Sequence, residues 1–280
     1  MVYEDQKLPK SNNAVIRWFR FDQFVPETAV TSHWVSSKTF FTIRSVLALY
    51  SFIVMWVNIG FTASEGNGDS FFAFFTNLTF VGLHAYLITA TVHHFRYLHN
   101  KNVNSFLDQY AVLNYLYVFL YCTVISFNIV TPVVYWSLLS KGAGGMSPRE
   151  SWLNVSVHGV SFFLMIFDVI FNRMKAPLRM IIFVLFTVLV YMCLAFVVHA
   201  TQGYWVYPFL NWEQGPKAAI WYVAVAAIVI VSYLLQVLIH FLRDFVARKM
   251  GKSESSQRVE DGEAHNHAMT KIETTNSSVV

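Results

Sequence analysis

The chain has 280 residues, of which 55% are hydrophobic and 13% are charged, and its mean hydropathy is +0.45. These values exclude an ordinary soluble globular domain and are typical of a multi-pass membrane protein. The net charge of +4 does not indicate nucleic-acid binding, because the basic residues lie at the ends of apolar segments, where loops meet anionic lipid.

Residues 1–38 contain no long apolar segment and are predicted to be cytosolic. Within them, residues 15–25 (VIRWFRFDQFV) mix Arg17 and Arg20 with four aromatic side chains. This composition fits a stretch that lies along the lipid headgroups, and it fits a solvated linker equally well.

Six apolar segments then follow, each about 20 residues long, which is enough to cross a bilayer as a helix. We predict spans at residues 39–62, 71–95, 109–132, 152–172, 178–201 and 217–242. Only helices satisfy their own backbone in lipid without closing into a barrel. The sequence therefore predicts an all-α, six-helix transmembrane domain over residues 39–242, with short loops, followed by a disordered cytosolic tail at residues 243–280.

Lysine and arginine are unevenly divided between the two ends of the predicted helices. The end with both termini has Lys7, Lys10, Arg17, Arg20, Lys38, Arg96, Lys101, Arg173, Lys175 and the six lysines and arginines of the tail, and the other has Lys141, Arg149 and Lys217. The positive-inside rule places both termini in the cytosol. We expect the endoplasmic reticulum or another endomembrane rather than the plasma membrane.

Two ionisable residues, Arg44 and Asp168, lie within predicted spans at matching depths near the cytosolic side. A charge inside a helix costs about 2.5–3.5 kcal/mol on insertion scales. The pattern predicts a structural ion pair between them, although each side chain is also long enough to reach the interface separately.

A second polar layer is predicted near the opposite side. Thr76 and Thr79 share a face of the second helix, and Asn154 and His158 share a face of the fourth. Counted along the helices, the hydroxyls and the imidazole lie about 8–12 Å below the interface. The layer fits a hydroxyl nucleophile with a histidine base, and it also fits simple hydrogen bonding between helices.

Specific strings resemble a known family. SWLNVSVHGV (residues 151–160) and FVVHATQGYWVYPFL (residues 196–210) are similar to paired motifs of the androgen-induced and androgen-dependent TFPI-regulating membrane proteins. LTF at residues 78–80 resembles the nucleophile stretch of that family. The resemblance covers most of residues 40–240, and WVYPFL is its most specific part.

The resemblance implies an intramembrane hydrolase that cleaves fatty acid esters of hydroxy fatty acids. It assigns the nucleophile to Thr79, with Thr76 as a competitor, and the base to His158. Asn154 matches the Asn of the family and His199 the first His of its outer pair. Val155, Gly159 and Ala200 replace two histidines and a threonine of the family pattern.

Supporting roles follow for several polar residues. Asn77, Asn154 and His199 are candidate donors to the oxyanion that forms during ester cleavage. WVYPFL either closes the mouth of the site or supplies interfacial anchors through Trp205 and Tyr207. The expected partner is a membrane lipid substrate, with no cofactor and no metal.

Two alternatives stay open from the sequence. Histidines on the second, fourth and fifth helices, namely His84, His158 and His199, would suit a haem-binding transmembrane oxidoreductase if they paired as axial ligands. The polar layer would also suit a non-enzymatic scaffold or lipid binder in which hydroxyls and imidazoles only join helices.

Overall fold

The computed structural model describes residues 11–140 and 145–252. These residues contain no β-strand and include six helices long and apolar enough to cross a membrane, so the predicted all-α fold is confirmed. The spans are α3 (Ser37–Ser64), α4 (Phe75–Asn100), α6 (Ala111–Val134) with a π segment (Tyr135–Leu139), α7 (Pro148–Val155) joined through a π segment (Ser156–Val160) to α8 (Ser161–Phe171), α9 (Ile181–Gln202) and α10 (Pro216–Lys249). Three short helices are α1 (Ala14–Phe19), α2 (Glu27–Val30) and α5 (Asn104–Leu107).

Local sequence explains several helix ends. The Ser36 hydroxyl accepts a hydrogen bond from the Thr39 N–H at the start of α3. Ser147 and Glu150 form a reciprocal capping box at the start of α7. Both devices satisfy N–H groups that the first turn leaves free. Gly203 ends α9 in the left-handed conformation, with φ of 77°, which a glycine adopts without a steric cost.

Several predicted boundaries differ from the observed ones. Gly68–Ala73 form a 3₁₀ helix, so α4 begins at Phe75 and not at residue 71. Pro132 lies inside α6, and helical structure continues beyond it to Leu139, because neighbouring helices can satisfy the backbone that a proline frees. The sixth helix continues to Lys249. The rest of the predicted tail, from residue 253, lies outside the described residues.

The bundle has two ends, which we call the terminal face and the loop face. The terminal face holds Ser37, Asn100, Phe171 and Lys249 and is the one predicted to be cytosolic; the loop face is the opposite end. Between them α6 is the central helix. In its apolar stretch 72% of the residues are buried, compared with at most 44% in the apolar stretches of the other spans. It packs against α4, α8, α9 and α10.

The N-terminal segment closes the terminal face. Ala29 and Val30 are fully buried. Their carbonyl oxygens accept hydrogen bonds from Arg44 Nη1 and from the Ser37 hydroxyl, both at 2.8 Å. Burial raises the pKa of the nearby Glu27 carboxyl. Residues 27–30 are therefore packed against the spans.

A buried ion pair joins three spans close to this face. Arg44 Nε donates to Asp168 Oδ1 at 2.7 Å, and neither residue has any exposed surface. The other carboxylate oxygen accepts from the Tyr86 hydroxyl at 2.6 Å and from Asn172 Nδ2 at 3.1 Å. The two charges thus meet directly inside the bundle and do not reach the interface separately.

The same network continues into two further helices. Asn172 Oδ1 accepts from the Tyr121 hydroxyl of α6 at 3.1 Å and from Arg243 Nη1 of α10 at 3.0 Å. Tyr121 also bonds to Nε2 of His240 at 2.6 Å. One connected set of polar side chains therefore links α3, α4, α6, α8 and α10.

Removing one charge of the central pair should destabilise the bundle. Arg44→Met or Asp168→Leu leaves its partner buried and unpaired, which costs about 3–5 kcal/mol. We expect a clear loss of monodisperse protein and a lower melting temperature in detergent. The double variant should recover most of the loss, and Arg96→Gln, an exposed arginine on α4, is the matched control. A single variant that melts like the wild type would contradict this assignment.

Candidate functional site

The network sets the relative height of two parallel helices. Both α4 and the α7–α8 span run from the loop face to the terminal face, and the Tyr86–Asp168 bond joins them. Thr76 lies ten residues before Tyr86, and His158 lies ten residues before Asp168. Both are therefore about 15 Å nearer the loop face. Because α4 also packs against the π segment that contains His158, the threonines and the imidazole occupy one layer of adjacent helices.

The helix around His158 departs from regular α geometry. The Ser161 N–H donates to the carbonyl of Ser156, five residues earlier, which widens the turn. The Ser156 hydroxyl is in turn 2.8 Å from the Tyr50 hydroxyl of α3. Single π turns inside α-helices are rare and are frequent at functional sites. The histidine therefore lies at the one wide turn of its span.

One hydrogen bond defines the state of the His158 ring. Nδ1 lies 3.0 Å from the backbone carbonyl of Asn154. A carbonyl can only accept, so Nδ1 must carry the proton, and in a neutral imidazole Nε2 then has the free lone pair. This is the tautomer that a general base requires, and here the backbone selects it.

Tyr135 holds the other side of the imidazole. Its ring stacks on the His158 ring with centroids 3.8 Å apart and an angle of 22°. The Asn154 side-chain amide donates to the Tyr135 hydroxyl. Trp136 Nε1 donates to the His158 carbonyl at 3.1 Å. Asn154 thus supports the histidine through its backbone carbonyl and, through its side chain, by way of Tyr135.

The two candidate nucleophiles have different surroundings, although both are buried. The Thr79 hydroxyl donates to the Thr76 carbonyl at 2.9 Å and lies 3.5 Å from the Thr131 hydroxyl of α6. Thr76 lines a cavity. Within the described part of the chain, no hydrogen bond joins either threonine to His158.

The cavity beside this layer has a volume of about 420 Å³ and is lined by α4, α6, α9, α10 and the WVYPFL loop. Its walls are mostly aliphatic and aromatic. Leu189 of α9 and Val223 of α10 line it and are 50% and 70% exposed on the surface of the bundle. The cavity therefore reaches the outer surface of the bundle between α9 and α10.

Tyr135 forms part of the wall between the cavity and the imidazole. It lines the cavity while its ring stacks on His158. Thr131, one helical turn earlier on the same face of α6, also lines the cavity and approaches Thr79. The α6 face thus connects the cavity to both candidate catalytic residues.

Two other predicted site residues have separate partners. Asn77 Nδ2 donates to the Phe71 carbonyl at 2.9 Å, and its Oδ1 accepts from Asn58 at 3.2 Å. This amide therefore joins α3 to the start of α4 and is not aimed at the cavity. His199 stacks on Trp205 with centroids 3.9 Å apart, near the end of α9.

The histidines required by the haem alternative lie in different environments. His84 bonds to the Ser51 hydroxyl at 3.0 Å, His158 stacks on Tyr135, and His199 stacks on Trp205. The contacts of the described residues do not bring any two of these imidazoles together.

Comparison with known proteins identifies the family. The family model described as FAR-17a/AIG1-like protein matches residues 38–240, which is most of the chain and includes most of each of the six spans. The chain belongs to this family. It is the androgen-induced gene 1 family, so the resemblance read from the motifs is confirmed. No curated protein and no solved structure matches the chain.

The FAR-17a/AIG1-like chain differs from its motif pattern at positions that do not line the cavity. Val155 is 46% exposed. Gly159 has open space where a side chain would start, and Ala200 is exposed at the end of α9. These replacements therefore change the surface of the FAR-17a/AIG1-like bundle and leave the walls of the cavity unaltered.

Sequence reasoning missed the residues that connect this site. Thr131 and Tyr135 are four residues apart on α6, a spacing that marks one helix face and was the available signal. Tyr207 was considered as an interfacial anchor, but its side chain lines the cavity. WVYPFL therefore forms a wall of the cavity.

The geometry predicts the tautomer of His158. In protein labelled with ¹⁵N-histidine, its Nδ1 should be protonated and its Nε2 unprotonated, because Nδ1 donates to the Asn154 carbonyl. The resonance is identified by its loss in His158→Gln, and His84→Gln serves as the matched control. A protonated Nε2 in neutral His158 would overturn this arrangement.

Proposed function

We propose that the protein is an intramembrane hydrolase of bilayer-dissolved lipid esters, such as fatty acid esters of hydroxy fatty acids, in an endomembrane. The observation that supports this best is the backbone-fixed imidazole of His158, with Nε2 free as a base, in one layer with the α4 threonines and beside an apolar cavity open to lipid. Family membership is compatible with a hydrolase role.

The proposed reaction has two steps. The Thr79 hydroxyl oxygen attacks the ester carbonyl carbon while His158 Nε2 takes the hydroxyl proton. The tetrahedral intermediate then breaks its bond to the hydroxy-acid oxygen, which receives the proton from His158. Water attacks the acyl-threonine, His158 takes a proton from that water, and the proton returns to the Thr79 oxygen as the fatty acid leaves.

This reaction requires Thr79 and His158 to come closer than they are without substrate. Catalytic hydrogen bonds are often long or absent in free enzymes and form in the substrate complex. The Tyr135 ring stacks on the imidazole and also lines the cavity. A chain that fills the cavity therefore contacts the side chain that positions the base.

Thr79→Ala and His158→Ala should each lower hydrolysis of a hydroxy-fatty-acid ester by about 10²- to 10⁴-fold, since a general base contributes about that much. The assay follows fatty acid release by purified full-length protein in lipid nanodiscs. Thr123→Ala is the matched control, because Thr123 is buried on α6 and bonds to backbone carbonyls within its own helix.

The outcomes separate the roles. Undiminished turnover in both Thr79→Ala and His158→Ala would refute the catalytic assignment. An alkylphosphonate probe identifies the nucleophile directly, because it labels an activated hydroxyl covalently. We expect the label on Thr79 in the wild type and no label in His158→Ala. A label on Thr76 would move the nucleophile one turn towards the cavity.

Tyr135 should act on turnover as a positioning residue. Tyr135→Phe keeps the stacked ring and loses the bond to Asn154, whereas Tyr135→Ala loses both. We expect kcat to fall by roughly threefold in the first variant and by about 10²-fold in the second, because small misplacements of a catalytic group are costly. Equal effects of both variants on kcat, or effects on KM alone, would argue against this role.

A further inference from the structure

Six of the described residues that line the cavity have hydroxyl groups. They are Thr76, Thr131, Tyr135, Tyr191, Tyr207 and Tyr222. Three of them have fixed protein partners. Tyr191 donates to the Ala73 carbonyl at 3.0 Å, Tyr222 donates to the Leu210 carbonyl at 2.6 Å, and the Tyr135 oxygen accepts from the Asn154 side-chain amide.

Tyr207 and Thr76, which we call the hydroxyl pair, differ from those three. The Tyr207 oxygen lies near the Thr76 hydroxyl, the Tyr191 hydroxyl and the backbone N–H groups of Phe75 and Thr76. Neither N–H can accept the Tyr207 proton, and the Phe75 N–H already donates to the Tyr191 hydroxyl at 3.2 Å, so the nearby acceptors are hydroxyl oxygens. A ligand oxygen can accept that proton without depriving a backbone group of its partner.

Burial keeps this proton in place. It raises the pKa of the Tyr207 hydroxyl above its ordinary value, so the group stays a neutral donor at physiological pH. Tyr207 comes from the loop between α9 and α10, and Thr76 from the first turn of α4. The hydroxyl pair therefore lies at the loop-face end of a mostly apolar cavity.

The lining also restricts the charge of a ligand. None of the described lining residues is Lys, Arg, His, Asp or Glu. A phosphate or carboxylate there would be buried without a counter-charge, which is strongly unfavourable. A neutral oxygen acceptor on an alkyl chain suits both the apolar walls and the hydroxyl pair.

We propose that this cavity binds a single long acyl chain through its carbonyl oxygen, with the Tyr207 hydroxyl as the donor and Thr76 beside it. This deepens the proposed function, on which it rests for the identity of the carbonyl as that of the ester. Tyr207 then also donates to the oxyanion during cleavage, in place of Asn77, whose amide bridges α3 and α4.

The binding test uses ligands that cannot be hydrolysed. A photoreactive fatty acyl probe is bound to full-length protein in nanodiscs, and a long-chain methyl ketone competes against the alkane of equal length. The ketone has the carbonyl but no leaving group. One hydrogen bond predicts that the ketone displaces the probe about five- to tenfold better than the alkane, with cross-links in α9 or α10.

Tyr207→Phe should reduce the ketone preference to about twofold or less. Tyr222→Phe is the matched control, since it lines the same cavity but donates to a backbone carbonyl, and it should keep the full preference. If Tyr207→Phe does not give monodisperse protein, Thr76→Val takes its place, with partial loss expected. No ketone preference in the wild type, full preference in Tyr207→Phe, or cross-links confined to α3 would overturn the proposal.

A parallel hydrolysis assay keeps the two proposals distinguishable. Loss of an oxyanion donor should lower kcat of Tyr207→Phe by about 10²-fold. Absent hydrolysis in the wild type together with a retained ketone preference would reject the hydrolase and leave the binding site. Normal hydrolysis by Tyr207→Phe would reject Tyr207 as the oxyanion donor, while the proposed hydrolase function would stand.

Discussion

The buried contact between Arg44 and Asp168 is the constraint on which the arrangement of the spans depends. Lipid offers no solvation for either charge, so each must find its partner inside the bundle. The carboxylate also accepts from Tyr86 and Asn172, and Asn172 extends the network to α6 and α10. A shift of one helix along its axis would break several of these bonds at once. The network thus fixes heights along the membrane normal, including those of Thr76 and His158.

Fixed heights alone do not orient the side chains of a site. The two π segments contribute to that orientation. Both lie nearer the loop face than the polar network, and they meet where Tyr135 stacks on His158 and Trp136 bonds to its carbonyl. A wide turn rotates the following residues relative to a regular helix. Rigid, charged contacts near the terminal face therefore coexist with irregular backbone beside the cavity.

The parts predictable from the sequence were those determined by depth. Apolar length gave six helices, and matching depth brought Arg44 and Asp168 together as expected. Depth counts also put Thr76, Thr79 and His158 in one layer. They contain no information on rotation about the helix axis, so they could not tell that Thr76 lines the cavity while Thr79 contacts Thr131. The π turns make side-chain directions still harder to predict, because no residue type at positions 135–139 or 156–160 indicates a π turn.

Asn154 and Tyr207 show the same limit at the level of single atoms. Spacing of four correctly put Asn154 beside His158, but the contact uses the backbone carbonyl, which every residue possesses. An aromatic residue close to a helix end is compatible with the headgroup layer and with the interior alike. For Tyr207, the return of the loop over the end of α4 decides between them, and that return depends on long-range packing.

The distribution of charge along the bundle favours chemistry at a neutral ester group. The described ionised groups that are buried, namely Arg44, Asp168, Arg173 and Arg243, lie near the terminal face. The layer with Thr76, Thr79 and His158 has hydroxyls, an amide and one imidazole. In a medium of low dielectric constant, a fixed charge near the reacting atoms would act over long distances. Hydrogen bonds from neutral donors strengthen only as an oxyanion develops, so they interact weakly with the substrate in its ground state. Such donors therefore stabilise the transition state more than the substrate.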